Sequence, residues 1–321
     1  MSRVQTAFEE FLHRIELNDD RVRVAAVHYN AIKTAIENAI PGATVKRIGS
    51  FQRNTKLRPF DPDRDIDVDV LVRLGTFHTV AGPGVTGISG TSALERIRSA
   101  LVSNGVYRVM DPVSDAPTVV LEYASDGFRL ELVPAYEDLT PGFVRFGGPS
   151  CYAVVGRDGG WMPADYDYDA AFITVLNQHP VCGGALVPLI KLAKFYLRVV
   201  GSKLKSFHIE LIVAMVLPAI LQGWSKQGLR WEYQHAFCAL LQALPEALRR
   251  PIQIPGSFSP PVDSELSLGA RLVLERFFDD RAVEAYRLCF NVPKTSALQG
   301  WRTFFGDPFP ASSTLVAGAQ P

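Results

Sequence analysis

The 321-residue chain is 47% hydrophobic and 21% charged, a globular composition that excludes a largely disordered protein. Its 33 Lys and Arg balance its 33 Asp and Glu, so a long nucleic acid, whose binding draws on a basic excess, is not favoured as the main substrate. Cys151, Cys182, Cys238 and Cys289 form no CxxC pair, which argues against a zinc site. The length suits one large domain or two lobes.

Apolar residues at helical spacing (Phe8, Phe11, Leu12, Ile15, then Val24, Val27, Ile32, Ile36) predict two helices, or one broken helix, ending at Pro41-Gly42. ATVKRIGSF then reads as a short strand ending at Gly49-Ser50, followed by the polar connection QRNTKLRPFDPDR. DIDVDVLVRL reads as a strand with Asp65, Asp67 and Asp69 on one face and Ile66, Val68 and Val70 on the other. Residues 75 to 92 read as a Gly- and Thr-rich loop, and Ser92 to Asn104 as a helix. TVVLEYA and FRLELVPAY, joined by Ser125-Asp126-Gly127, give a hairpin.

After about residue 145 the strand signals fade. GGWMPADYDYDAAFITVLNQ reads as a loop and then a helix, and residues 184 to 200, 206 to 222, 232 to 250 and 265 to 287 read as further helices. The apolar run Leu211 to Leu221 contains Pro218 and is too short to span a bilayer. The charged, amphipathic first twenty residues differ from an apolar leader, so a cytoplasmic protein without membrane attachment is expected.

Three features in order point to phosphoryl chemistry: Gly49-Ser50 at a strand end, the alternating aspartates, and Glu131 on a later strand. Nucleotidyl transfer uses two metal ions about 3.5–4 Å apart, and Mg2+ prefers hard oxygen ligands. Carboxylates at i and i+2 of a strand share a face and can reach one metal pair, and a third from a neighbouring strand completes the set. Several aspartates on one face of an apolar strand repel one another, which cations would relieve. Glycine permits close approach of a triphosphate, and Ser50 offers a hydroxyl.

RIGSFQRNTKLRPFDPDRDIDVDVLV resembles the GS-xx-R-x-T … DxD signature of the CD-NTase family, the bacterial relatives of cyclic GMP-AMP synthase in the polymerase-β superfamily. FRLELVPAY resembles that family's third-acid strand, with Glu131 where the family usually has Asp. LIKLAKFYLRVVGSKLKSFHIELIV resembles its Lys-bearing helix followed by a Lys-Ser helix start. The resemblance implies an α+β, bilobed, polymerase-β-like nucleotidyltransferase fold: a mixed β-sheet lobe, a helical lobe and the active site between them. It implies two Mg2+ ions (Mn2+ as substitute) on Asp65, Asp67 and Glu131, with Asp67/Asp69 as the alternative register. Gly49, Ser50, Lys191 and Ser206 would serve the triphosphate, with Lys194 as the alternative to Lys191.

Arg53 and Thr55 match the R-x-T and would brace the loop or touch phosphate. Ser206 sits where a helix N-cap is expected. Glu210, His208 and Trp161 read as structural, whereas Tyr166 and Tyr168 would stack on a base or pack on the next helix. The expected division is 1–145 catalytic lobe with N-terminal helices, 146–305 helical lobe and 306–321 flexible tail. The implied activity is synthesis of a cyclic di- or trinucleotide messenger from nucleoside triphosphates, ATP among them, in anti-phage signalling with a regulatory protein partner. The rivals are nucleotide transfer to RNA 3′ ends or to a protein, and an inactive nucleotide sensor.

Overall fold

The computed structural model describes residues 2–59, 65–77, 88–139 and 150–311. The chain divides into two compact units. One holds Leu17–Phe172 with Pro255–Pro260, and the other Met1–Glu16, Ile173–Ile254 and Pro261–Pro321.

The first unit is built on a mixed sheet. Its strands are β1 (Thr44–Arg47), β2 (Ile66–Phe77), β3 (Val113–Asp115), β4 (Thr118–Tyr123), β5 (Phe128–Asp138), β6 (Tyr152–Val155) and β7 (Trp161–Ala164). The order is β1-β2-β5-β4-β3, with β6 paired to the far end of β5 and β7 paired to β6. Only the β2–β5 pair is parallel among these; the others are antiparallel.

Period-2 alternation decides the two sheet faces. Ile66, Val68, Val70 and Val72 of β2 join Phe128, Leu130 and Leu132 of β5 in one core. Helices α2 (Asp19–Ala39) and α4 (Gly90–Ser103) cover it with Ile32, Ile36, Ile97 and Leu101. Each such fully buried aliphatic side chain contributes about 1.5–3 kcal/mol. The opposite face carries the acids and, further along the strands, a smaller cluster of Ile48, Leu71, Val133, Ala135, Tyr152, Val154 and Ala164. Short helices α3 (Gly49–Gln52) and α5 (Gly105–Arg108) complete the parts before β3. The sheet expected to end near residue 145 continues through β6 and β7, so the first unit extends to Phe172. The sequence hides these strands because both are four residues long and one contains Pro163.

The second unit is helical: α1 (Arg3–Ile15), α7 (Leu186–Val199), α8 (Ser206–Lys226), α9 (Tyr233–Leu248), α10 (Leu268–Phe290) and α11 (Lys294–Phe305). The unit boundary falls within α6 (Tyr166–Gln178). α1 groups here rather than with the sheet because Phe8 and Phe11 insert into an aromatic core. Phe8 meets Trp301 and Phe309 edge-on at 5.1 Å, and Phe11 meets Phe195 at 5.1 Å. Phe309 is fully buried, so the expected tail is packed at least to this residue; residues 312–321 lie outside the described set, as do 60–64, 78–87 and 140–149. Of the Gly- and Thr-rich stretch, residues up to Phe77 extend β2.

α8 is longer than its apolar run suggested and, by length and composition, could cross a membrane. Half of that window is buried within the protein, and the helix contains Pro218.

Candidate active site

The glycine-serine turn is fixed to the acid strand by backbone and by steric fit. Ile48 N–H donates to Asp69 C=O at 3.0 Å, and Gly49 opens α3 with φ +66°. A Cβ placed on Gly49 would lie 1.9 Å from Asp69 Oδ2 and 2.8 Å from its Cγ. Only glycine admits both this conformation and this carboxylate. Gly49→Ala is therefore expected to cost more than the ~1 kcal/mol of a left-handed alanine, because Asp69 must also move. Denaturant unfolding and product formation should both show the loss; a variant with wild-type values in each would contradict the fit. Ser50 is half-buried, and its C=O accepts from Thr55 N–H at 3.0 Å.

The parallel register puts Asp69 directly beside Glu131, and Asp67 beside Arg129. Arg129 Nε stands 3.2 Å from Glu131 Oε1. Burial pushes the Glu131 carboxyl above its usual range; Arg129 opposes this, while the charges of Asp67 and Asp115 add to it. Asp65 sits before the strand, at the sheet end. Its Oδ1 lies 3.7 Å, and the Arg21 guanidinium 3.2 Å, from the point where Gly127 would carry a Cβ. With a rise of roughly 3.3 Å per residue, Asp65 is about 13 Å along the strand from Asp69, and Asp67 about 6.6 Å.

Among the described residues no three acidic, His or Cys side chains already form a closed metal cage. The donor chemistry of Asp67, Asp69 and Glu131 nonetheless fits a divalent cation. All three are hard-oxygen ligands on one face, and the charge of Asp67 felt at Glu131 is one that a cation would relieve.

The R-x-T residues turn inward. Arg53 is 7% exposed and Thr55 fully buried. Arg53 lies near enough to Tyr166 and Asp169 to favour the charged form of each. The burial of Arg53 and Thr55 is at odds with a solvated turn, the plain alternative for this stretch. Tyr166 packs against the Ile48/Leu71 cluster, and burial, with the nearby Asp69 charge, raises its hydroxyl pKa. Tyr168 donates its hydroxyl to Pro255 C=O at 3.0 Å. Tyr166 thus packs on the sheet and Tyr168 bonds the 255–260 segment, contacts other than the expected packing on the next helix.

The acids after β7 escaped the sequence reading. Asp165 and Asp169 hold the 255–260 segment: Ser257 Oγ donates to Asp169 at 2.9 Å, Asp165 N–H donates to Ser259 Oγ at 2.8 Å, and Phe258 N–H donates to Asp165. Burial pushes Asp169 up to about 6, with Asp165 adding and Ser257, Ser259 and Arg53 opposing. The acid-rich DYDYD was the only available signal, and it did not say what the acids would meet.

The residues expected to reach the triphosphate from the helical unit are described there. Lys191 Nζ bonds Glu16 Oε1 at 2.6 Å. Lys194 is 3% exposed and Glu210 1%, paired at 2.6 Å. His208 is buried, and desolvation lowers its pKa. Ser206 is not the N-cap of α8. Lys205 holds that place with extended φ/ψ and no side-chain cap bond, leaving Ser206 as the exposed first helical residue. Trp161 donates its indole N–H to Ile88 C=O at 3.3 Å.

Residues 1–147 match the family described as the Second Messenger Oligonucleotide or Dinucleotide Synthetase domain. A probable cyclic nucleotide synthase of Bacillus cereus (strain VD146) is 25% identical over 291 residues, 84% of this chain and 83% of that protein. The fold is similar to that of E. coli MS115-1 CdnC solved with ATP, at TM-score 0.71 and 16% identity, covering 97% of this chain and 99% of that one. CdnC has also been solved in complex with HORMA-deltaN. The CD-NTase CdnG of Bradyrhizobium diazoefficiens, solved with GTP, matches at TM-score 0.69 and 13% identity, covering 95% and 96%. An acid strand locked to a Gly-Ser turn, a domain match over residues 1–147 and an α+β fold like that of CdnC and CdnG make the chain similar to the CD-NTases.

Proposed function

We propose that this protein is a cyclic-oligonucleotide synthase that joins nucleoside triphosphates, ATP among them, and closes the product into a ring. The observation that carries the reading is the contact of Gly49 with Asp69, beside Glu131 in the parallel register. It favours Asp67, Asp69 and Glu131 as the metal-holding set over Asp65, Asp67 and Glu131. In the first set the third acid stands next to a member of the pair; in the second it stands next to a residue outside it.

An acceptor hydroxyl loses its proton to solvent, its oxygen bonds to the donor α-phosphorus, the bond from that phosphorus to the bridging oxygen breaks, and pyrophosphate leaves; a second such step closes the ring. Mg2+, or Mn2+ in its place, when held by these carboxylates, would lower the hydroxyl pKa and offset charge on the leaving pyrophosphate. The chain's own residues position the reactants. Gly49 lets the triphosphate approach the backbone, Ser50 offers its hydroxyl, and Lys191 and Ser206 are proposed phosphate contacts. Lys191 would have to exchange Glu16 for phosphate, and Ser206 brings the uncapped amides of α8. Lys194, buried on Glu210, is the weaker candidate. A role in cytoplasmic anti-phage signalling is proposed from the resemblance of the sequence motifs, and control by a protein partner from CdnC, which was solved with HORMA-deltaN.

The test is incubation of the purified protein with all four nucleoside triphosphates and Mg2+, phosphatase treatment and mass spectrometry. A phosphatase-resistant cyclic product that disappears with chelator is expected. Linear or macromolecule-linked product alone would redirect the reading to RNA or protein transfer. ATP binding without pyrophosphate release would make the protein a sensor.

A further inference from the structure

The first turn of α6, with the residue before it, reads DYDYD, and all five of its residues engage other parts of the sheet unit. Two clamp the 255–260 segment, one reaches Pro255, and Tyr166 packs beneath Asp69's neighbours Ile48 and Leu71. The remaining residue, Asp167, reaches the glycine-serine turn. Its Oδ1 accepts from Gln52 Nε2 at 2.9 Å, and its Oδ2 accepts from Tyr152 Oη at 3.0 Å and from Lys46 Nζ. Lys46 Nζ also bonds Tyr152 Oη at 2.6 Å and lies 4.3 Å from the centroid of that ring.

Gln52 is the last residue of α3, three positions after Gly49 and two after Ser50. Its Oε1 is buried and, among the described residues, has no hydrogen-bond partner. The polar anchoring of this side chain therefore runs through Asp167. α3 is a single turn, and one turn does not hold its own shape in water. Its backbone bonds are few: Arg53 N–H to Gly49 C=O at 3.2 Å and Thr55 N–H to Ser50 C=O at 3.0 Å. Something outside the turn must fix it, and a carboxylate tied at once to β1 through Lys46, to β6 through Tyr152 and to α3 through Gln52 has the reach to do so.

We infer that Asp167 is a positioning residue for the triphosphate turn, holding the Gly49–Ser50 backbone against the acid strand through Gln52. Without it, Gln52 loses its anchor, the turn frays and Ser50 leaves the place where it meets phosphate. The inference rests on the nucleotide-binding reading above, and its test separates the two.

The measurements are backbone hydrogen exchange of the free protein and ATP binding by calorimetry, on wild type, Asp167→Ala and Asp167→Asn. Ile97→Val, a mild change in the opposite core, is the control for general loss of stability. Asp167→Ala should speed exchange at the Arg53 and Thr55 amides by about tenfold or more, with β4 and β5 amides unchanged. Its ATP affinity should fall by about tenfold, the scale expected when a supporting contact of a site is lost. Asp167→Asn keeps one oxygen acceptor, for Gln52, but loses the oxygen that Tyr152 and Lys46 meet, and should restore part of both. Ile97→Val should alter neither. Unchanged exchange at Arg53 and Thr55 in Asp167→Ala overturns the inference, whatever the catalytic result. If wild type binds ATP and Asp167→Ala binds it equally well, the inference also falls while the synthase reading stands. Weakened binding in an enzyme that forms no product supports the inference and sinks the synthase reading. No ATP binding by wild type overturns both.

Discussion

Asp69→Asn is expected to reduce cyclic product formation by at least about a hundred-fold, a loss of about 2.7 kcal/mol of transition-state stabilisation. Asp65→Asn should stay within about threefold of wild type. The contrast follows from register. Asp69 lies against Gly49 and beside Glu131, whereas Asp65 stands at the sheet end near Arg21 and Gly127. Asp67→Asn should behave like Asp69→Asn, since Asp67 belongs to either pair. The folded state of Asp69→Asn should not suffer, because removing one of several like charges on a face relieves repulsion. Initial rates with saturating triphosphates, alongside thermal unfolding, measure both effects. A silent Asp69→Asn paired with an inactive Asp65→Asn would restore the Asp65/Asp67 register.

Lys194→Met is expected to destabilise the protein by about 3–5 kcal/mol, because it removes the cation paired with the Glu210 carboxylate in the helical core. Lys194 and Glu210 are each almost wholly buried and bonded at 2.6 Å, linking α7 to the first turns of α8. The double variant Lys194→Met/Glu210→Leu should recover most of the loss, since two apolar side chains replace two desolvated charges. Urea unfolding of the two single variants and the double variant measures the coupling directly. A single variant as stable as wild type would mean that the pair is not what closes this part of the core. The same series bears on the proposed phosphate contact, because a lysine needed for the core is poorly placed to exchange partners. Lys191, whose partner Glu16 is 41% exposed, is freer to do so.

Where sequence reading succeeded, it did so through short-range periodicity. DIDVDVLVRL announced a strand with acids on one side and aliphatics on the other, and both faces formed as expected. The stripes Phe8/Phe11/Ile15 and Ile32/Ile36 announced α1 and α2, and the two long apolar stretches announced α7 and α8. It failed where the signal was too short or depended on distant partners. β6 and β7 are four residues each and are strands because β5 pairs with β6 and β6 with β7. α11 was not foreseen at all; its Trp301 and Phe305 meet Phe8 and Phe11 from the far end of the chain. Phe309 likewise looked like part of a tail until its ring partners were known.

By itself the sequence determined the local chemistry: a Gly-Ser turn, alternating acids, a later acid, and the family these resemble. Backbone alternation and the rarity of acids on an apolar strand suffice for that, because both act within a few residues. Only the tertiary structure decided which acids meet. That depends on how β2 is registered against β5, a pairing between segments some sixty residues apart, such as Asp69 with Glu131. It also turned Arg53 and Thr55 inward, paired Lys194 with Glu210, and gave each residue of DYDYD its partner. Such choices belong to packing, where a side chain's role is set by neighbours that its own stretch of chain does not contain.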